Sequence, residues 1–285
     1  MKILLTGAGG QLGYELERSL QARGEVVAPL RAALDLADPD QIRAVVRAVR
    51  PSLIVNAAAF TAVERAESEP GLAWRINAEA PAVLADEARA LGAAMIQYST
   101  DYVFDGTKDG PYVETDIPAP RNVYGQSKLA GEQAVAEAGI AHLILRTSWL
   151  YSARGDNFLR TMLRLAAQGA PLRVVADQIG APTWCRTVAD TTAQMLAGAA
   201  IGGHAWWDHD GGLYHLACQG HTSWHGFAEA IMAHAGRDLP VAPIASADYP
   251  AAACRPANSR LDCTKLIGRF GPIPHWEKAL ALCLR

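Results

Sequence analysis

A glycine-rich loop near the N-terminus is the feature that most constrains how this chain can fold. Residues 2–6 form an apolar run that predicts a buried strand, and residues 11–23 predict a helix because leucines recur at helical spacing. Between the two, Gly7, Gly10 and Gly13 give the spacing GxxGxxG. A strand, a glycine loop and a helix in this order predict a dinucleotide-binding turn, in which the helix N-terminus holds a pyrophosphate.

Each glycine of the loop has its own physical reason to lack a side chain. Gly7 permits the tight turn from strand to helix, and Gly10 lets the backbone approach the pyrophosphate. Gly13 allows the helix to pack closely on the sheet. We therefore expect these three glycines to form part of a cofactor site.

The alternation of strand and helix patterns over residues 1–150 predicts the fold class. Strict alternation implies a parallel sheet with right-handed crossovers, so we expect an α/β, Rossmann-type doubly wound parallel sheet that binds NAD(P). The predicted strands after the first are 25–30, 53–58, 93–99 and 142–149, and the predicted helices are 39–49 (after Asp38 as N-cap), 78–91 and 124–138.

The regular alternation of strand and helix patterns ends after residue 150. Residues 151–285 are expected to form mainly a smaller C-terminal α/β substrate-binding lobe, from which some segments can return to the Rossmann domain. Residues 202–212 hold two histidines, but they lack a metal-ligand spacing and are interpreted as an exposed loop. The remaining predicted elements are strands 172–175 and 212–217 and helices 157–167 and 224–234.

Composition excludes several classes of protein. The chain has 285 residues and a formal net charge of −3, which disfavours a nucleic-acid partner. It has no apolar run long enough to cross a membrane, and no signal peptide is recognisable. Five scattered cysteines without a CxxC pair fit a reduced setting, so a cytoplasmic protein is expected.

The end of the second strand bears on the choice of cofactor. An acidic residue there favours NAD, because it binds the ribose hydroxyls and repels a 2′-phosphate. Here the position is occupied by Leu30-Arg31, with Asp35 a few residues later. Arg31 can pair with the 2′-phosphate, so NADPH is the expected cofactor, and NADH stays an alternative.

A tyrosine and a lysine four residues apart predict the catalytic chemistry. Tyr124 and Lys128 lie on one face of a predicted helix. An ammonium group beside a phenol is expected to lower the phenol pKa, so the tyrosine can donate a proton to a carbonyl while a hydride reaches the carbon. Thr100 closes the fourth strand, where such sheets bind their ligands, and its hydroxyl can contact the tyrosine or the carbonyl.

The motifs together resemble a known family. Besides the glycine loop they are Asn56-Ala57-Ala58-Ala59, residues 99–104 (STDYVF) and Tyr124-Gly125-Gln126-Ser127-Lys128, followed by residues 146–149 (RTSW), 177–183 (DQIGAPT), 212–216 (GLYHL) and 255–261 (RPANSRL). Residues in this arrangement resemble the extended short-chain dehydrogenases/reductases that act on nucleotide sugars, and among them the dTDP-4-dehydrorhamnose reductase family. The resemblance spans nearly the whole chain, and its later motifs are the more specific ones.

The resemblance implies NAD(P)H-dependent reduction of the 4-keto group of dTDP-4-dehydro-L-rhamnose to dTDP-L-rhamnose, a step in making polysaccharides. It implies that Tyr124 is the proton donor, that Lys128 is its partner, and that Thr100 tunes the tyrosine and contacts the sugar. It places Asp101 and Trp149 at the sugar nucleotide. The implied cofactor-binding residues, besides the three glycines, Arg31, Tyr124 and Lys128, are Gln11, Leu12, Asp35, Leu36, Ala59, Phe60, Thr61 and Tyr98.

Side-chain chemistry supports a substrate role for three residues. Trp149 can stack on an apolar sugar face or a base. Arg255 and Arg260 can bind a diphosphate through charge-assisted hydrogen bonds, although surface ion pairing is an equally good interpretation of each.

One departure from the family concerns a metal. Some members form dimers around a magnesium ion held by glutamates, and Glu15 matches one of those positions. Arg186 stands where a second glutamate is expected, and a guanidinium repels magnesium. No metal is therefore predicted, and both monomer and homodimer stay open.

Two other functions stay open. A nucleotide-sugar 4-epimerase or 4,6-dehydratase would use the same scaffold, although Asp101-Tyr102 after Thr100 does not match the Asp-Glu pair that a dehydratase typically has. A non-catalytic regulatory subunit, like that of methionine adenosyltransferase, shares the fold, but the intact Tyr124, Lys128 and Thr100 favour catalysis.

Overall fold

A computed structural model describes residues 1–237, 239–249 and 251–285. The first half contains β1 (Lys2–Thr6), α1 (Gln11–Ser19), β2 (Glu25–Val27), α2 (Pro39–Val49), β3 (Leu53–Asn56), α3 (Val63–Ser68), α4 (Pro70–Trp74), α5 (Ala80–Leu91), β4 (Ala94–Thr100), α6 (Val123–Glu137) and β5 (His142–Thr147). The second half contains β6 (Leu150–Tyr151), α7 (Phe158–Ala167), β7 (Leu172–Val175), β8 (Ile179–Gly180), β9 (Thr183–Trp184), α8 (Cys185–Asp210), β10 (Gly212–His215), β11 (Thr222–Ser223), α9 (Trp224–His234), β12 (Val241–Ile244), α10 (Thr264–Phe270) and α11 (Trp276–Cys283).

The central sheet has six parallel strands in the order β10-β5-β4-β3-β1-β2. This confirms the predicted Rossmann-type fold. From β1 the chain moves outward to β2 and then returns to β3 on the other side. Such a reversal opens a crevice at the carboxyl ends of β1 and β3, and ligands of doubly wound sheets bind in this crevice.

Apolar side chains pack on both faces of the sheet. One core contains Leu12 and Leu16 of α1 together with Val188 and Leu196 of α8. The core on the other face is formed mainly by α2, α5 and the buried side of α6. A third core, centred on Phe227, lies between α7, β7, α9 and α11.

Local signals explain why several predicted elements begin and end where they do. The Asp38 carboxylate accepts hydrogen bonds from the N–H groups of Asp40 (3.0 Å) and Gln41 (3.1 Å), so it caps α2 as predicted. Asn157 caps α7 through the N–H of Arg160 in the same way. The predicted fifth strand ends two residues early, because Trp149 adopts a left-handed backbone conformation with φ of 50°.

The interpretation of residues 202–212 as an exposed loop is wrong. Residues 202–210 continue α8, which is interrupted only at Gly203 (φ 57°, ψ −139°). The buried indole of Trp206 holds this turn, since a β-carbon on Gly198 would lie 2.6 Å from its Nε1. Gly198 and Gly202 thus provide room for the tryptophan.

Within the described residues, no helix combines the length and the hydropathy needed to cross a membrane.

Candidate functional site

The glycine loop forms a cradle at the carboxyl end of β1. Gly7 has a φ of 74°, and a β-carbon there would lie 2.7 Å from the backbone nitrogen of Ala58. A β-carbon on Gly13 would lie 2.0 Å from the carbonyl oxygen of Gly7. Gly10 is the N-cap of α1, and among the described residues no side chain caps this helix. The first N–H groups of α1 are therefore left for an anion, and the cradle fits a pyrophosphate.

Gln11 and Leu12 can contribute to this cradle only through the backbone. The Gln11 Oε1 accepts hydrogen bonds from Asn157 Nδ2 (2.7 Å) and Ser152 Oγ (3.2 Å), so its side chain holds the loop before α7. The side chain of Leu12 is buried in the core under α1.

The residues expected near the adenosine lie beyond β2. Arg31 is exposed, and its Nη2 lies 3.9 Å from Asp35 Oδ2, so its guanidinium is accessible to a ligand. Asp35 accepts a hydrogen bond from the N–H of Ala37 (3.0 Å), and the side chain of Leu36 packs in the core. The cofactor roles of Arg31, Asp35 and Leu36 stay predictions.

The loop after β3, with Ala59, Phe60 and Thr61, is held by a side chain that the sequence analysis missed. Asn77 accepts a hydrogen bond from the N–H of Phe60 (2.8 Å) and donates to its carbonyl (3.1 Å). The same amide donates to Ser127 Oγ on α6 (3.1 Å). Asn77 lies in a π-helical turn (Arg75–Glu79), a distortion that often marks functional sites.

Tyr124 is the second residue of α6 and lies beside the end of β4. Its ring packs edge-on against Tyr102, with centroids 5.5 Å apart. Burial raises the pKa of Tyr124 to about 12; the Thr100 hydroxyl acts in the opposite direction, and the charge of Asp101 adds to the rise. The structure thus brings Thr100 and Tyr124 together.

The expected lowering of the Tyr124 pKa by Lys128 is not what the structure shows. The Lys128 side chain is buried, and its Nζ donates to the carbonyl oxygen of Tyr98 at 2.6 Å. Burial lowers the pKa of Lys128 to about 8, and the charge of Glu132 partly offsets this effect. The phenol of Tyr98 points the other way and contacts Thr192 Oγ1 (2.7 Å), so Tyr98 contacts the lysine through its backbone.

A series of buried hydrogen bonds leads to the Tyr98 carbonyl, which also accepts from Lys128. Thr6 Oγ1 donates to Asn56 Oδ1 (2.5 Å), and Asn56 Nδ2 donates to Gln97 Oε1 (2.8 Å). Gln97 Nε2 donates to the Tyr98 carbonyl (3.2 Å), which also accepts from Lys128. Polar residues within otherwise apolar strands were the signal that could have identified these hydrogen bonds.

Asp101 is buried with Ser99 and Thr147 at the ends of β4 and β5, and we call this group of polar side chains the polar pocket. Burial raises its pKa to about 6, against hydrogen bonds from Ser259 and Thr100. In the described part of the chain, its Oδ2 has no hydrogen-bond partner, and the same holds for the buried hydroxyls of Ser99 and Thr147 nearby. Unpaired buried polar atoms are costly, so a ligand rich in hydroxyl groups suits this pocket.

Trp149 lies at the junction of the sheet and the C-terminal segments. Its ring stacks on Trp224 of α9 with centroids 3.6 Å apart and an interplanar angle of 8°. A β-carbon on Gly180 would lie 2.4 Å from the indole, so this contact requires glycine. Its stacking on the sugar nucleotide stays a prediction.

Both arginines that were considered for the substrate diphosphate have protein partners. Arg255 Nη2 lies 2.9 Å from Glu64 Oε1. Arg260 Nε donates to Asn258 Oδ1 (2.8 Å), and its Nη2 donates to the carbonyl of Asp109. Arg255 is therefore ion-paired, whereas Arg260 bonds neutral oxygen atoms, and binding of a diphosphate by either stays a prediction.

Arg186 contacts the glutamate that was considered as a metal ligand. Its Nη1 lies 3.3 Å from Glu15 Oε2, and its Nε lies 3.1 Å from Asp190 Oδ2. No metal-binding cluster of three His, Cys, Asp or Glu side chains occurs among the residues described. The prediction that no metal is bound stays a prediction.

A cavity of about 600 Å³ lies at the opposite edge of the sheet, at the amino ends of β5 and β10. Its lining includes His142 and Trp207 but none of the predicted site residues.

Comparison with known proteins covers the whole chain. The family model described as "RmlD substrate binding domain" matches residues 1–285. The chain is 49% identical to a dTDP-4-dehydrorhamnose reductase of Burkholderia thailandensis, an alignment that covers 100% of the chain and 98% of the relative. A dTDP-4-dehydrorhamnose reductase structure from Clostridium acetobutylicum superposes with a TM-score of 0.92, at 35% identity and coverage of 100% and 98%. One from Bacillus anthracis, in complex with NADP, superposes with a TM-score of 0.90, at 36% identity and coverage of 99% and 96%.

Proposed function

Because the chain belongs to the dTDP-4-dehydrorhamnose reductase family, we propose that it uses NADPH to reduce the 4-keto group of dTDP-4-dehydro-L-rhamnose, with Tyr124 as proton donor. The observation that carries the proposal is the position of Tyr124 beside Thr100, at the carboxyl edge of the sheet that also bears the glycine cradle.

Several residues of the chain suit the cofactor. The first N–H groups of α1 bind the pyrophosphate, and the Arg31 guanidinium pairs with a 2′-phosphate. Lys128 holds the nicotinamide ribose from its position on α6. The bound reduced nicotinamide supplies the hydride.

Tyr124 supplies the proton. A phenol with a pKa of about 12 remains protonated at neutral pH, which is the state that a proton donor needs. Its O–H bond breaks as a new O–H bond forms on the former carbonyl oxygen, and solvent then returns a proton to the phenolate. The Thr100 hydroxyl hydrogen-bonds the reacting oxygen and orients the substrate.

The sugar nucleotide occupies the polar pocket at the ends of β4 and β5. The free carboxylate oxygen of Asp101 accepts a hydrogen bond from a sugar hydroxyl. Trp149 packs on the sugar or the base, and Arg255 and Arg260 supply charge for the diphosphate.

The test is oxidation of NADPH in the presence of dTDP-4-dehydro-L-rhamnose by the wild-type protein, Tyr124→Phe and Tyr214→Phe. Tyr214 is a buried tyrosine on β10, so its variant controls for loss of a phenol hydroxyl elsewhere. Because a positioned acid contributes about 100-fold or more, we expect kcat of Tyr124→Phe to fall by at least that factor while the folded variant still binds NADPH.

Other outcomes would redirect the proposal. Full turnover by Tyr124→Phe would exclude this proton donor. If the folded wild-type protein bound NADPH but gave no turnover, the substrate would be wrong. An epimerase would then be indicated by tightly retained cofactor, and a regulatory subunit by stoichiometric capture of a synthetase.

A further inference from the structure

A segment of the C-terminal part lies against α3 and the start of α6, where the carboxylate of Glu64 holds it. We call residues 251–257 the strap. Glu64 Oε2 on α3 accepts hydrogen bonds from the N–H groups of Ala252 (2.7 Å) and Ala253 (3.0 Å). Its Oε1 accepts from Arg255 Nη2 (2.9 Å). Burial opposes ionisation of Glu64, but these hydrogen bonds outweigh it and lower the pKa of the carboxyl group.

A second anchor joins the strap to the helix that carries Tyr124. Asn122 precedes α6 and is almost fully buried. Its Oδ1 accepts a hydrogen bond from the N–H of Gly125 (2.8 Å), which makes it the N-cap of α6. Its Nδ2 donates to the carbonyl oxygen of Cys254 at 2.8 Å. One amide side chain thus caps the helix of the proton donor and holds the middle of the strap.

Packing around Tyr124 supports this connection. The strap also packs against the turn after β4, where a β-carbon on Gly106 would lie 2.5 Å from Pro256 Cβ. The charge of Arg255 acts on Tyr102, whose ring contacts Tyr124. Within the described part of the chain, Glu64 engages only Nε and Nη2 of Arg255, so Nη1 can donate to a phosphate oxygen.

We propose that Asn122 is a positioning residue that locks the strap onto the first turn of α6, so that Arg255 and Tyr124 are held in one fixed geometry around a nucleoside diphosphate sugar. The identity of this ligand rests on the proposed function. Holding the anchor of the substrate and the acid at fixed separation lowers the entropy cost of reaching the reactive geometry.

The variant Asn122→Asp separates the two roles of this side chain. Aspartate keeps the oxygen that accepts from Gly125 and is itself a favourable N-cap, but it has no N–H for the Cys254 carbonyl. We therefore expect α6 to stay capped and the Kd for NADPH to be unchanged, while the carboxylate oxygen that faces the Cys254 carbonyl lowers the melting temperature without unfolding the protein. Loss of a buried hydrogen bond corresponds to about tenfold, so the Kd for dTDP and the KM for the sugar nucleotide should each rise by about that factor.

Hydrogen exchange of the strap gives a readout that does not depend on turnover. The amides of Ala252 and Ala253 should exchange about tenfold faster in Asn122→Asp, because the strap opens more often. Glu64→Gln should act in the same direction. The two variants combined should be less than additive, since both act through the strap. Glu69→Gln is the matched control, because this glutamate near α3 pairs with Arg65.

The possible outcomes distinguish a failure of the proposed role of Asn122 from a failure of the proposed function. If Asn122→Asp matches the wild-type protein in strap exchange and in binding of dTDP, Asn122 is only a helix cap and the proposal is overturned. Faster exchange with unchanged dTDP affinity overturns it as well. If the wild-type protein binds dTDP but does not reduce dTDP-4-dehydro-L-rhamnose, the proposed function fails, and the dTDP and exchange measurements still decide the role of Asn122.

Discussion

The cofactor cradle can form only because Gly13 has no side chain. A methyl group there would meet the carbonyl of Gly7 at 2.0 Å, and the backbone on both sides is fixed by the sheet and by α1. We expect Gly13→Ala to lower the free energy of unfolding by about 3 kcal/mol, because α1 must shift away from β1. Urea unfolding without cofactor measures this change.

Gly9→Ala is the control for Gly13→Ala, since it lies in the same loop and its β-carbon would meet only Leu30 Cδ2 at 3.9 Å. It should leave the stability of the cofactor-free protein close to that of the wild type. Equal losses for the two variants would mean that the loop tolerates neither side chain, and that close helix–sheet packing is not the reason for Gly13.

The buried carboxyl of Asp101 predicts a dependence of stability on pH with an unusual sign. Its pKa is raised from 3.8 to about 6, so between these values the folded protein binds more protons than the unfolded chain. Stability due to this group must then fall as pH rises through the window. Relative to Asp101→Asn, the wild type should lose about 2 kcal/mol between pH 4 and pH 7.

Asp105 provides the opposite case for comparison. Hydrogen bonds from Tyr112 and Thr107 lower its pKa, so its contribution to stability is present at neutral pH and is lost as pH falls. Denaturant unfolding of wild type, Asp101→Asn and Asp105→Asn should give pH slopes of opposite sign for the two variants, with the slope due to Asp105 lying at and below its ordinary pKa of 3.8. A pH-independent difference between wild type and Asp101→Asn would contradict the buried site.

At the residue scale, sequence motifs identify catalytic residues more readily than the residues that hold them in position. Tyr124 and Lys128 were predicted because their spacing places them on one helix face and because they follow the glycine loop and Thr100 along the chain. The positioning residues Asn122, Asn77 and Gln97 were not predicted. A side-chain amide can cap a helix, hydrogen-bond a loop or face solvent, and its residue type does not tell which. Their partners lie far away in sequence, as with Asn122 and Cys254, so only the fold reveals their roles.

Helix α6 carries an ion pair on the face that also carries the catalytic candidates. Glu132 follows Lys128 by one turn and makes a bidentate contact with Arg146 of β5 at 2.6–3.1 Å, with both side chains buried. Removal of one partner leaves a buried unpaired charge, so Glu132→Gln should destabilise the protein by about 4 kcal/mol. Chemical unfolding of the variant tests this value.

Two further variants test whether the loss of stability comes from the unpaired charge and from its burial. Glu132→Gln/Arg146→Met should recover most of the loss, because it removes both charges and retains apolar volume. Glu69→Gln breaks an exposed pair with Arg65 and should leave stability unchanged within error. A loss in the double variant as large as in Glu132→Gln would argue that hydrogen-bond geometry, not the unpaired charge, is what matters.

At the scale of elements, local signals predicted some boundaries and tertiary contacts decided others. Helix α2 occupies the predicted residues because Asp38 caps it, and α9 does so because Ser223 caps it. The end of α8 was interpreted as an exposed loop, and Gly202 and Gly203 within it have a low intrinsic preference for helix. Burial of Trp206 outweighs that preference, and propensity cannot report such a contact.

Segments from the second half of the chain complete the sheet and the core of the first half. β10 pairs with β5 as the outer strand of the central sheet, although more than sixty residues separate them. The core beneath α1 contains Val188 and Leu196 from α8, and Leu266 from α10. The division at residue 150 stays a prediction, and the central sheet draws on segments from both sides of it.

This dependence predicts that residues 1–150 will not fold alone. The fragment would expose the edge of β5 and the apolar side of α1 that α8 covers, and these surfaces favour aggregation. We expect no cooperative thermal transition by circular dichroism and no binding of NADPH, whereas the full chain shows both. A fragment that bound NADPH and unfolded cooperatively would mean that the core under α1 closes without α8 and β10. The C-terminal segments would then contribute to substrate binding but not to the integrity of the sheet.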